Sequence, residues 1–224
     1  MLPVHKPVTH DSANTILRSL LTLAHASLDA TPHDGVRLRL GRIRGTGPGV
    51  SCGTLIEELE SAYPLNLEYP FESSDRVGGA VWDCRKILDD PFVTDGIAKL
   101  HWKPYATDLP IHTHDHADRF IIVLEGRGFF HWSTQSAATF DGSAIETIAA
   151  RSRDVFVFRR GLLHTFSTQQ HGMTLLSVQL PMIAFDDPDQ YRLPNHRWTA
   201  DALASAPRSR IACLLQAPET TLHL

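Results

Sequence analysis

A chain of 224 residues with 42% hydrophobic and 21% charged residues can bury a sizeable core, and its composition excludes a disordered or fibrous protein. A formal net charge of −4 gives no global attraction to phosphate backbones or anionic lipid, so a small-molecule ligand is expected rather than nucleic acid or a membrane. The three cysteines, Cys52, Cys84 and Cys213, are widely separated and form no Cys-x-x-Cys pair, which argues against a disulfide framework or a thiolate zinc site.

The first residues, from Met1 to Thr15, lack the basic region and apolar stretch of a secretory signal, and the expected location is the cytoplasm. Asp11 or Ser12 is placed to cap a helix whose stripe runs through Ile16, Leu17, Leu20, Leu21, Ala24 and Leu28 and ends near Thr31-Pro32. Val36, Leu38 and Leu40 alternate with Arg37 and Arg39 as a half-buried strand does, until Gly41 and the run from Gly45 to Gly49 interrupt it. That run lacks the Lys-Ser/Thr ending of a phosphate-binding loop and reads as a plain loop. Thr54 and Glu57 have capping-box spacing and open a short helix through Leu59, which Tyr63-Pro64 ends.

From Gly78 onward the sequence becomes a series of short strands between turn residues, the rhythm of a sandwich or barrel. The expected strands are Ala80–Ile87, Ile97–Trp102, Phe120–Leu124, Gly128–Trp132, Ala144–Ala149, Val155–Phe158, His164–Thr168 and Met173–Leu180. The residues from Asp186 onward, rich in Asp, Pro and Arg, read as a return loop with a short helix near Thr199–Ala204. The expected organisation is therefore an amino-terminal helical and extended segment (1–77), a β-barrel (78–185) and a return segment (186–224).

Among 13 histidines, the informative ones lie in Ile111-His-Thr-His-Asp-His-Ala-Asp-Arg119. Residues two apart on a strand share a face, so His112 and His114 can point into one cavity, and His116 has the same parity. Neutral imidazole nitrogen suits zinc, iron, nickel or manganese, and three such ligands leave positions open for water or substrate. A second segment, Val155-Phe-Val-Phe-Arg-Arg-Gly-Leu-Leu-His164, pairs an apolar strand and a tight turn at Gly161 with a histidine opening the next strand.

Together these segments resemble the two motifs of the cupin superfamily, roughly Gly-x5-His-x-His-x3-4-Glu-x6-Gly and Gly-x5-Pro-x-Gly-x2-His-x3-Asn. His112, His114 and Gly126 match the first, and Gly161 and His164 the second. The resemblance spans about Ile97–Leu180. It implies an all-β fold, a jelly-roll-like double-stranded β-barrel, with one divalent transition metal (Fe, Zn, Mn or Ni) held by His112, His114 and His164. It also implies a homodimer. The sequence departs from the motifs in several places: Arg119 stands where the family places its glutamate, Asp118 fits only the shorter spacing, and Ala106, Arg153, Arg159 and Thr168 replace other motif residues. A guanidinium cannot ligate a cation, so the fourth position falls to Asp118, His116 or water. Arg119, His101 and His131 are candidates to bind substrate from the barrel wall. The implied function is a metal-dependent enzyme acting on a small organic, carboxylated molecule, with dioxygenase chemistry ahead of isomerase, epimerase or lyase chemistry. The alternative is a non-catalytic small-ligand-binding or sensing protein.

Overall fold

The structure is a computed structural model, and it describes residues 10–31, 39–44, 57, 59–61, 74–184, 186–204 and 220–223. Helix α1, His10–Asp29, starts slightly ahead of the expected cap. It buries the predicted stripe of Leu17, Leu20, Leu21, Ala24 and Leu28. The strand expected over Val36–Leu40 is found at Arg39–Arg44 (β1), and it runs through Gly41 instead of stopping there. The helix expected from Thr54 and the glycine-rich loop fall wholly or largely outside the described residues, although Leu59 is buried in the α1 core.

Strand β2, Val77–Asp83, replaces the first half of the strand expected over Ala80–Ile87. The second half is helix α2, Cys84–Leu88. Asp83 causes the switch, because its carboxylate accepts the Arg85 N–H at 3.0 Å and caps the helix, while Cys84, Ile87 and Leu88 become its buried face. Then follow β3 (Gly96–Trp102), β4 (Asp118–Ser133), β5 (Glu146–Arg151), β6 (Asp154–Phe158), β7 (Leu163–Ser167), β8 (Met173–Leu180), helix α3 (Asp201–Ala204) and β9 (Thr220–His223).

β4 joins the strands expected separately at Phe120–Leu124 and Gly128–Trp132 into one strand of 16 residues that serves two sheets. Its first part pairs with β6 and β8, and its second part with β5 and β7. A register shift between Val123 and Glu125 marks the passage. Gly126 follows with φ 78°, and a Cβ there would collide with the Gly172 carbonyl oxygen. The first sheet has the order β2-β3-β8-β4-β6-β1-β9, in which β1 runs antiparallel to β6 and parallel to β9. Among the described residues this ladder ends at β2 and β9. The sandwich is thus jelly-roll-like without the closed ladder that the barrel reading implies.

Both faces of the first sheet are covered, which explains why Phe120-Ile-Ile-Val123 is apolar throughout rather than alternating. Phe120 and Ile122 face outward and join α1, Val155, Val157, Leu176 and Val178 in one core. Ile121 and Val123 face inward and meet Phe156, Phe158, Phe130 and Phe166 between the sheets. A third cluster, Ile111, Ala137, Phe140, Leu163, Trp198 and Ala200, covers the outside of the second sheet with the returning carboxy-terminal segment. No helix of the described residues is long and apolar enough to cross a membrane.

Candidate metal centre

The segment before β4 is extended and is held from both sides. His112 N–H donates to the His164 carbonyl at 3.0 Å, and His164 N–H returns a bond to the His112 carbonyl at 2.8 Å. On the other side Thr113 exchanges the same pair of bonds, at 3.0 and 2.8 Å, with Arg192 of the return segment. The alternation of extended backbone then turns His112 and His114 to one side, facing His164 across the bridge. Ring centroids lie 4.7 Å apart for His112 and His164, 5.1 Å for His112 and His114, and 5.2 Å for His114 and His164. One ligand atom from each ring lies within 4.8 Å of the others, close enough for a single ion to draw them together.

The orientation of each ring is fixed by its own backbone surroundings. Nδ1 of His112 bonds the Pro110 carbonyl at 3.0 Å, Nδ1 of His164 bonds the Leu162 carbonyl at 2.9 Å, and Nδ1 of His114 bonds the Gln190 carbonyl. A carbonyl oxygen has no proton to give, so all three Nδ1 atoms must be donors and each Nε2 must carry the ring's lone pair. This is the tautomer and the support that a ligating histidine needs. Burial, above all, holds the rings neutral. It lowers His112 to about 4, and it lowers His114 and His164 well below the usual imidazole value, with the Arg119 charge and the neighbouring rings adding to the effect.

The other predicted site residues separate into those inside and those outside the cavity. Arg119 is 2% exposed and lines the cavity with the three histidines, Ile121, Gln179 and Gln190. Burial lowers its guanidinium to about 9, so it remains cationic at neutral pH. Asp118, proposed as a fourth ligand, has the opposite parity and points away from the cavity. Its carboxylate accepts Arg160 N–H at 2.7 Å, Arg159 Nη1 at 3.2 Å and Arg160 Nη2 at 3.3 Å. Burial alone would raise its pKa, but these donors outweigh burial and lower it. His116 is exposed at the rim and outside the cluster. His101 is also exposed and bonds Thr174 Oγ1 at 3.2 Å, because β3 turns Leu100 and Trp102 inward instead. His131 is buried but lies on the outer face of the second sheet. There its two ring nitrogens meet Thr147 Oγ1 at 2.8 Å and Ser167 Oγ at 2.7 Å, and its ring packs edge-on to Trp198. The neighbours Phe130 and Trp132 occupy the inner face.

The sequence reading missed Gln190, whose backbone orients His114 and whose side chain lines the cavity. It sits in a segment without periodicity, and only the return of that segment across Thr113 brings it to the site. Gln179, directly opposite Arg119 on β8, was read only as part of a strand. Among the described residues lining the cavity there is no carboxylate.

No family model matches the chain, and no curated protein matches it. Among solved structures, it is similar to a recombinant oxalate oxidase in complex with glycolate at 16% identity and TM-score 0.40, over 50% of this chain and 54% of that one. The capsular polysaccharide assembling protein CapF from Staphylococcus aureus matches at 17% identity and TM-score 0.44, over 58% of this chain and 32% of that one. Vicilin from Corylus avellana (hazelnut) matches at 22% identity and TM-score 0.39, over 58% of this chain and 37% of that one. The chain thus spans about half or less of the length of these structures. The double-sheet, jelly-roll-like architecture, with the His-x-His segment and the third histidine bridged across it, thus assembles one buried histidine triad.

Proposed function

We propose that the protein is a metal-dependent cupin enzyme acting on a small organic molecule, with one divalent transition metal (Fe, Zn, Mn or Ni) held by His112, His114 and His164. The observation that carries this reading is the tautomer lock: three backbone carbonyls hold three Nδ1–H groups and put the lone pair on each Nε2, in rings whose ligand atoms lie within 4.8 Å of one another. Three protein ligands leave coordination positions for substrate or dioxygen, and the ion supplies Lewis-acid or redox chemistry there. With Asp118 engaged elsewhere and His116 at the rim, the fourth position goes to water or substrate.

The chain's own residues set the rest of the chemistry. The apolar wall of Leu109, Ile121 and Phe166 excludes bulk water, and Arg119 places a fixed positive charge beside the site. The described lining residues include no carboxylate to serve as a general base, which supports dioxygenase-type oxidation over epimerisation or lyase chemistry. The same feature favours the alternative of a non-catalytic small-ligand-binding protein. We also assign the functional unit as a homodimer in the cytoplasm.

Elemental analysis of purified protein tests the reading. About one metal per chain is expected, and His112→Ala with His114→Ala should remove it; full metal content in that double variant would sink the site. Oxygen consumption by iron-loaded protein across a panel of small acids and thiols then separates enzyme from binding protein.

A further inference from the structure

Three residues that line the cavity carry a buried side-chain atom that finds no hydrogen-bond partner among the described residues: Nη2 of Arg119, the side-chain oxygen of Gln190 and the indole N–H of Trp102, a further donor. Arg119 is 2% exposed, its Nη1 reaches only the Asp118 carbonyl at 3.3 Å, and the Asp118 carboxylate faces the other way toward Arg159 and Arg160. Gln179, opposite Arg119, is 2% exposed and spends its side-chain oxygen on Ile183 N–H at 3.1 Å. Among the described residues the cation therefore has no counter-charge in the cavity it faces. An unpaired buried charge and an unmade buried hydrogen bond both disfavour the empty site. Both costs fall on one small space beside the three histidines.

A ligand that removes both must bring an anionic acceptor to the guanidinium and a hydrogen-bond donor to the Gln190 amide. It must also enter by a small polar head, since the cavity volume is about 30 Å³, room for two or three water-sized groups. We propose that this cavity binds a short-chain carboxylate bearing a donor group on the neighbouring carbon, with the carboxylate paired to Arg119 and the donor bonded to Gln190. The inference rests on the metal-site reading above and names the substrate class for it. It also accounts for the arginine at the position of the motif glutamate: the residue neutralises the ligand's charge rather than the metal's. Gln190 then serves twice, its backbone carbonyl orienting His114 and its side chain reading the ligand.

Cobalt(II)-loaded protein provides the test, with cobalt stoichiometry measured first. Lactate should bind saturably by calorimetry and perturb the visible cobalt spectrum, whereas propane-1,2-diol, which lacks the carboxylate, should do neither. Arg119→Lys should keep its cobalt and weaken lactate by about 10–100-fold, because lysine keeps the charge but loses the planar two-point contact. Gln190→Leu should weaken lactate while leaving propionate, which lacks the donor, unchanged. Cobalt bound without any lactate binding would overturn this inference alone, as would equal lactate affinity in wild type and both variants. Failure to bind cobalt would overturn both readings. Should Arg119→Lys fail to fold, the wild-type comparison of lactate with the diol and the Gln190→Leu series still decide the matter.

Discussion

At the scale of the residue, the parity of the backbone decides which polar side chains reach the cavity. Asp118 and Arg119 are adjacent, yet one faces Arg159 and Arg160 while the other faces the histidines. His131 shows the same rule on β4, where Phe130 and Trp132 take the inner face and the histidine is buried outside. Burial lowers His131 to about 3, against about 6.5 for an unfolded chain. As pH falls below about 6.5 the unfolded chain takes up a proton that the folded one refuses, so the stability contributed by the neutral ring is complete above that pH and declines toward 3. The slope is about 1.4 kcal/mol per pH unit for one such group. A glutamine at this position can bond both hydroxyls without titrating. Urea unfolding of metal-free His131→Gln should therefore lose about 2 kcal/mol less than wild type between pH 7 and pH 5; parallel curves would mean that the folded protein protonates His131 readily. Much of the site was legible in the sequence, because His-x-His and Gly-x-x-His record strand parity and turn position directly. The orientation of Asp118 was not, since its neighbours Arg159 and Arg160 lie on a distant turn. Nor was the role of Gln190, which depends on a pairing between segments far apart in sequence.

At the scale of the element, glycines mark where strands change direction or sheet. Gly126 and Gly161 both have positive φ, 78° and 86°, but their surroundings differ. A Cβ on Gly126 would strike the Gly172 carbonyl oxygen beside β8, whereas one on Gly161 meets nothing within 4 Å. Gly161→Ala should thus cost only the left-handed backbone penalty, about 1–2 kcal/mol. Gly126→Ala should cost more, because the clash with backbone forces β4 and β8 apart at the point where β4 passes between sheets. Thermal denaturation of the two variants checks the order, and a smaller loss for Gly126→Ala would contradict the crossing geometry. The sequence reading split β4 at these glycines because Gly126 and Gly128 resemble a turn. It also extended β2 through Ala80–Ile87, where apolar residues suit either a strand or a short helix, and the cap from Asp83 decides for α2.

At the scale of the whole molecule, the fold class was legible because strand length and turn spacing are local properties. The completion of the first sheet by β1 and β9 was not, because it joins segments from opposite ends of the chain. The attachment of α1 shows how such distant parts communicate. Its apolar stripe packs on the outer face of β4, β6 and β8. Its carboxy-terminal end is tied by Arg159, whose Nη2 donates to the carbonyls of Leu28 and Thr31 while Nη1 holds Asp118 at 3.2 Å. The next residues continue the connection, since Arg160 N–H bonds Asp118 and Gly161 N–H bonds the His114 carbonyl at 2.9 Å. One turn therefore links the end of the helix to the extended segment before β4 that carries two of the three histidines. Arg159→Met keeps most of the apolar stem and removes the donors, leaving the helix end without these partners. Asp118 keeps Arg160, so the turn itself should persist. Hydrogen exchange should then show lost protection in the last turns of α1, with amides of β4 and β8 little changed and metal content intact. Equal loss of protection across α1, β4 and β8 would show instead that the helix and the sheets open only as one unit.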